Sequence, residues 1–87
     1  MAEGADFDTD RVDEAVLALL FLTMFVEQGV ARAWKGHDWD ALDRLHQKGY
    51  LHDPKGKAKS VVLTEKGKKR AAELFDALFR SQRGASR

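Results

Sequence analysis

Residues 15–26, AVLALLFLTMFV, are apolar without interruption except for Thr23. The run is 12 residues long, whereas a helix needs about 20 to cross a bilayer. A helix that is apolar on every side must instead be covered on every side. The whole chain has 87 residues, enough for one domain and one core, and so small a core can hardly wrap a helix completely. Part of Leu17, Phe21, Met24 and Phe25 is therefore expected to meet a second subunit. The helix has a marked start. Asp8 reads as its N-cap, Phe7 and Val12 occupy the two staple positions, and Asp10, Asp13 and Glu14 lie where the macrodipole favours negative charge. Gly29 is its stop, which predicts one long helix over residues 9–26.

The net charge of +1 hides a strong asymmetry. Residues 1–27 hold seven acids against Arg11, and residues 54–87 hold ten bases against Glu65, Glu73 and Asp76. A basic C-terminal third steers a protein toward phosphate or an acidic partner; equally, it complements the acidic N-terminus within one chain or across a dimer. The absence of cysteine excludes a disulfide scaffold, a thiolate zinc finger and a cysteine nucleophile. The start, MAEGADFDTD, lacks the basic and apolar regions of a secretory signal. A small cytoplasmic domain without a membrane partner is the expectation.

Beyond Gly29, residues 30–35 are long enough for one or two helical turns before Gly36. Asp38 is the next N-cap, and Trp39, Leu42 and Leu45 recur at a spacing that makes one apolar stripe, so residues 39–48 read as an amphipathic helix ending at Gly49. The pattern then changes to period two. Residues 50–52 and 60–63 are short runs flanking a turn that contains Pro54 and Gly56, which predicts a hairpin with Leu51, Val61 and Leu63 inward and Tyr50 and Val62 outward. Thr64 caps a last helix whose apolar set is Ala71, Leu74, Phe75, Leu78 and Phe79. Leu74, Phe75, Leu78 and Phe79 are expected to join the first helix in a homodimer interface.

The stretch from LDRLHQKGYLHD to VVLTEKGKKRAAELF resembles the second half of a winged-helix domain. The likeness covers residues 38–80. It rests on a Lys48-Gly49 corner after a recognition-type helix, a β-wing, and the step Leu63-Thr64-Glu65-Lys66-Gly67 that matches the LT-x-x-G of bacterial regulators of the MarR and PadR kind. The whole chain, with RAWKG followed by DWDALDRLH, also resembles a family of small bacterial proteins known only as a domain of unknown function. The implied fold is α+β and mostly helical. It is a winged-helix-like domain over residues 8–80 with a long N-terminal helix, a truncated second helix at 30–35, a recognition-type helix, a two-stranded wing and a C-terminal helix. Residues 1–7 and 81–87 read as flexible tails.

The resemblance implies nucleic-acid binding by a small bacterial regulator, with double-stranded DNA as the partner. Arg44 and Gln47 are the residue types that read guanine and adenine edges, and Lys48 stands beside them. Asp38, Asp40 and Asp43 crowd the end of the same helix that usually meets bases, so an ordinary solvated face is an equal reading. Lys55, Lys57 and Lys59 fall at alternate positions of the wing tip and suit phosphate contact without base readout; lysines also protect a short hairpin edge from pairing. Lys66, Lys68, Lys69 and Arg70 extend this basic surface. Trp34 and Trp39 would serve as an aromatic platform, but tryptophans flanking a short turn are expected as core plugs. His37, His46 and His52 have no metal-ligand spacing, and the chain has no nucleophile elbow or phosphate-binding glycine loop. No enzymatic activity, metal or cofactor is expected. The alternative is an interaction or structural homodimer that does not bind DNA.

Overall fold

Asp8 opens the first helix as its sequence position requires. Its carboxylate accepts hydrogen bonds from the amides of Asp10 (3.0 Å) and Arg11 (3.3 Å), leaving fewer of the first-turn donors unsatisfied. In the computed structural model, which describes residues 7–56 and 58–80, α1 runs over Thr9–Leu22, followed by strands β1 (Phe25–Glu27) and β2 (Val30–Trp34). Helix α2 (Trp39–Gln47), strand β3 (Ser60–Val62) and helix α3 (Glu65–Phe79) complete the order. Among the described residues the fold is α+β, with three helices and a three-stranded antiparallel sheet of order β1-β2-β3. This architecture is compatible with a small winged-helix-like fold. Among the described residues, no helix is long and apolar enough to cross a membrane.

The expected helices at 9–26 and 30–35 are replaced in part by a hairpin. Helix α1 stops at Leu22, and Phe25 and Val26 enter β1. Gln28 and Gly29 join β1 to β2 with φ of 54° and 77°, and Glu27 faces Val30 across them. Positive φ at both residues of a two-residue loop is the mark of the type I′ turn, whose twist matches that of paired strands. Residues 30–34 thus supply a strand where a truncated second helix was expected. Period two governs them: Ala31 and Ala33 are buried, while Arg32 and Trp34 stand on the other face.

The expected two-stranded wing is formed only in part, because β3 has a different principal partner from the one expected. Strand β3 pairs along its length with β2, Trp34 facing Ser60 and Arg32 facing Val62. The expected pairing of 50–52 with 60–63 survives as a single bridge, Leu51 with Leu63, flanked by hydrogen bonds from the His52 amide to the Val62 carbonyl (2.9 Å) and from the Thr64 amide to the Tyr50 carbonyl (3.0 Å). Leu51, Val61 and Leu63 are buried as alternation demands. They meet Val16, Leu17 and Leu20 of α1, Leu42 and Leu45 of α2, and Ala71 and Leu74 of α3 in one core.

Both corners of the winged-helix resemblance have a physical basis. At the end of α2, Gly49 has φ of 85°, its amide donates to the His46 carbonyl, and the Tyr50 amide donates to the Leu45 carbonyl, each at 3.0 Å. These are the two bonds of a Schellman motif, which needs a left-handed residue at this place. At the start of α3, the Thr64 hydroxyl accepts from the Gly67 amide (2.8 Å) and donates to the Gly49 carbonyl (2.7 Å). Gly67 packs directly on the backbone of Tyr50, and a Cβ there would collide with the Tyr50 carbonyl. The glycine of the LT-x-x-G step is therefore a close-approach residue.

Helices α1 and α3 lie side by side and run in the same sense: Glu14 meets Arg70 near their starts (3.7 Å), and the rings of Phe21 and Phe75 meet further along, with centroids 5.3 Å apart. Of the expected interface residues, Leu17 and Leu74 are buried in the protomer's own core and so present no surface to a partner. Phe21, Met24 and Phe75 are half-buried against that core, and Phe25 is half-buried beside Trp34. Leu22, Leu78 and Phe79 are exposed. The expected tails, 1–7 and 81–87, lie outside the described residues except for Phe7, which is exposed.

Candidate nucleic-acid interface

Asp13 lies on the stripe of α1 that also carries Val16, Leu17 and Leu20, and it is 1% exposed. A carboxylate so placed must be paired, because an isolated buried charge is strongly disfavoured. Arg44 supplies a bidentate contact, with Nε 2.9 and 2.8 Å from the two carboxylate oxygens and a terminal guanidinium nitrogen 2.8 Å from Oδ1. Lys48 adds its Nζ at 2.9 Å from Asp13 Oδ2 and also reaches Asp10 at 3.2 Å. Burial pushes the Asp13 carboxyl up, but the hydrogen bonds and charges of Arg44 and Lys48 outweigh it and hold the group below its ordinary value. The same contacts raise both cations: Arg44 mainly through its hydrogen bond to Asp13, and Lys48 against the opposing effect of its own burial.

This cluster accounts for two of the six expected nucleic-acid contacts. Arg44 and Lys48 turn inward along α2 to neutralise Asp13. Gln47 stays exposed and donates to Asp43 (3.1 Å). The sequence suggested first-turn duty for Asp13, which explains why its pairing was missed. The available signal was its position three, four and seven residues before Val16, Leu17 and Leu20, on the apolar stripe itself.

The wing lysines have a different setting. Asp53 accepts from the Lys55 amide (3.0 Å), an Asx turn that starts the tip, and the buried Pro54 anchors it. Lys55 and Lys59 are exposed; Lys57 lies outside the described residues. Lys35, which carried no assignment from sequence, donates from Nζ to the Gly56 carbonyl (3.0 Å), while its amide donates to the Lys59 carbonyl (3.0 Å). It ties the end of β2 to the wing. The extension along α3 is neutralised in part: Lys68 pairs with Glu65 (3.4 Å) and Arg70 with Glu73 (3.3 Å) and Glu14, whereas Lys66 donates to the Lys48 carbonyl (3.2 Å) beside the Tyr50 ring. Lys69 is exposed.

Both tryptophans depart from the core-plug expectation. Trp34 is 56% exposed and Trp39 is 55% exposed. Alternation along β2 sends Ala33 inward and Trp34 outward, and Trp39 at the first position of α2 falls outside the stripe formed by Ala41, Leu42 and Leu45. Among the described residues, no group of His, Cys, Asp or Glu is placed to hold a metal ion. His46 instead uses Nδ1 against the Leu51 carbonyl (2.9 Å).

The family described as a domain of unknown function (DUF6429) matches residues 8–81, and the chain belongs to that family. The uncharacterized protein y4hR of Sinorhizobium fredii (strain NBRC 101917 / NGR234) is 51% identical over 74 residues, covering 85% of this chain and 96% of the relative. No solved structure matches the chain. Neither the family description nor the relative's name mentions a winged helix.

Proposed function

We propose that this member of the DUF6429 family is a nucleic-acid-binding protein, a small bacterial cytoplasmic regulator that grips double-stranded DNA by its phosphates through the wing. The observation that carries the reading is the division of the basic residues. Arg44 and Lys48 are committed to Asp13, whereas Lys55 and Lys59 stand exposed on a turn held by Asp53 and Lys35. Contacts of this kind position a protein on a duplex and carry little sequence information. The outer face of α2, with Asp40, Asp43 and Gln47, contributes little base readout.

The test is an anisotropy titration of random-sequence duplex DNA at several salt concentrations. Joint replacement of Lys55, Lys57 and Lys59 by alanine is expected to weaken binding to all sequences alike and to flatten the salt slope by about three units, close to one per lost phosphate contact. Absence of binding by the unaltered protein at low salt overturns the reading. The second reading, a homodimer acting as an interaction module, is favoured by one observation: Leu22, Leu78 and Phe79 expose apolar surface on the two helices that run side by side.

A further inference from the structure

Trp34 and Trp39 line a single open groove of about 480 Å³ together with Lys35, Gly36, Gly56, Ala58 and Lys59. Its size falls within the range of small-ligand clefts, roughly 300–1,000 Å³. Among the described residues, two glycines and an alanine are the other uncharged lining residues, and a Cβ at Gly36 or Gly56 would meet nothing within 4 Å. These small residues leave Trp34 and Trp39 more than half exposed, although Phe25 packs beside Trp34 and Lys35 lies over Trp39. Soluble proteins seldom leave large apolar side chains clustered in water without a use for them.

The charge around the groove selects the occupant. Lys35 sits with Nζ 5.6 Å from the Trp39 ring centroid, which marks that ring as a face for planar or cationic groups. Lys59, whose carbonyl accepts from the Lys35 amide, also lines the groove, and Lys55 is exposed on the adjoining turn. Asp38 flanks Trp39 in the chain, but its carboxylate is turned to the Ala41 amide (3.1 Å) as the cap of α2; Asp40 is exposed on the far side of the same residue. The backbone approach is thus from the wing side. Aromatic faces bordered by lysines form the arrangement that proteins use for unpaired nucleotides, with bases stacking on the rings and phosphates following the cations. A duplex keeps its base faces stacked internally and offers nothing to the tryptophans.

We infer that the Trp34–Trp39 groove takes unpaired nucleobases, so that the protein binds single-stranded nucleic acid more tightly than duplex of equal length. This deepens the nucleic-acid reading and rests on it: the wing supplies phosphate contact to either form, and the groove adds base stacking to single strands alone.

Four fluorescein-labelled probes separate the possibilities: a 12-nucleotide thymidine strand, an abasic strand of equal charge, a random 12-base-pair duplex and a 12-residue polyglutamate peptide. The thymidine strand is expected to bind most tightly and to quench tryptophan fluorescence. Trp34→Ala and Trp39→Ala are each expected to lower its affinity about 5- to 100-fold while changing duplex affinity less than about twofold. The abasic strand is expected to bind the unaltered protein no better than the thymidine strand binds those variants. This comparison requires no variant to fold. Equal affinity for abasic and thymidine strands, with duplex binding intact, overturns the groove and leaves the wing reading standing. Polyglutamate binding as tight as the thymidine strand also overturns it, in favour of an acidic peptide. Failure of every nucleic-acid probe overturns both readings together.

Discussion

Replacing Asp13 by asparagine keeps the side chain's size and removes its charge, leaving Arg44 and Lys48 facing a neutral amide. Breaking a fully buried ion pair on one side costs about 3–5 kcal/mol. Here the carboxylate is fully buried, but the side chains of Arg44 and Lys48 are 30% and 35% exposed, so water recovers part of the loss. The expected destabilisation is therefore about 2–3 kcal/mol. A domain of 87 residues has a total stability of roughly 4–13 kcal/mol, so the change is large. With a urea m-value near 1 kcal/mol/M for so small a chain, the midpoint followed by circular dichroism falls by roughly 2–3 M. The pH dependence follows from the direction of each shift. Asp13 is lowered in the folded protein, so its contribution is complete above the ordinary carboxylate value near 4 and is lost as pH falls through the folded value. Lys48 is raised, so its contribution is complete below the ordinary lysine value near 10.4 and is lost as pH climbs through the folded one. Asp13→Asn removes the acid edge of this profile and weakens the alkaline one, where Asp10 still holds Lys48. In a double-mutant cycle with Arg44→Ala, a coupling of about 1 kcal/mol or more is expected. A loss under about 0.5 kcal/mol for Asp13→Asn, with no coupling, refutes the reasoning.

Gly67→Ala forces α3 away from the Tyr50 carbonyl and is expected to cost more than about 3 kcal/mol, read by thermal or urea unfolding; a loss within about 1 kcal/mol contradicts the close approach. Gln28→Asn puts a residue tolerant of positive φ at the 54° position and is expected to stabilise by roughly 0.5–1 kcal/mol in the same assay. If the exposed ends of α1 and α3 join two copies, light scattering at tens of micromolar gives a dimer mass, and Leu78→Glu with Phe79→Glu gives a monomer. A monomeric mass for the unaltered chain removes the homodimer reading.

What the sequence revealed follows from how local each determinant is. Asp8, Asp38 and Thr64 cap their helices as their positions require, because capping depends on residues within one turn. Gly49 and Gly67 were likewise legible as corner residues, although the contact that demands glycine at 67 comes from Tyr50, 17 residues earlier. The segment 25–34 was misread for two reasons. The apolar run continues past Leu22 into β1, which hides the helix end. Ala31 and Ala33, good helix formers by propensity, are used in β2 where the core needs small side chains. Gln28 gave no warning, since asparagine or glycine is the usual sign of such a turn. At the candidate interface, the wing lysines were visible as a pattern of alternate charges. The withdrawal of Arg44 and Lys48 to Asp13 was not, because it joins residues 31 and 35 positions apart. Exposure of Trp34 followed from strand alternation and could be read only once β2 was known to be a strand, whereas Trp39 was misassigned to the apolar stripe that Ala41, Leu42 and Leu45 form.

Amide chemical shifts of the labelled protein, followed during titration with random-sequence duplex DNA at low salt, test the proposed wing contact most directly. The account predicts that perturbations concentrate on residues 55–59 and on Lys35, and fade as salt is raised. Asp40, Asp43 and Gln47 on the outer face of α2 should change little. Spectra that stay unchanged to saturating DNA, or shifts centred on that face of α2, contradict it.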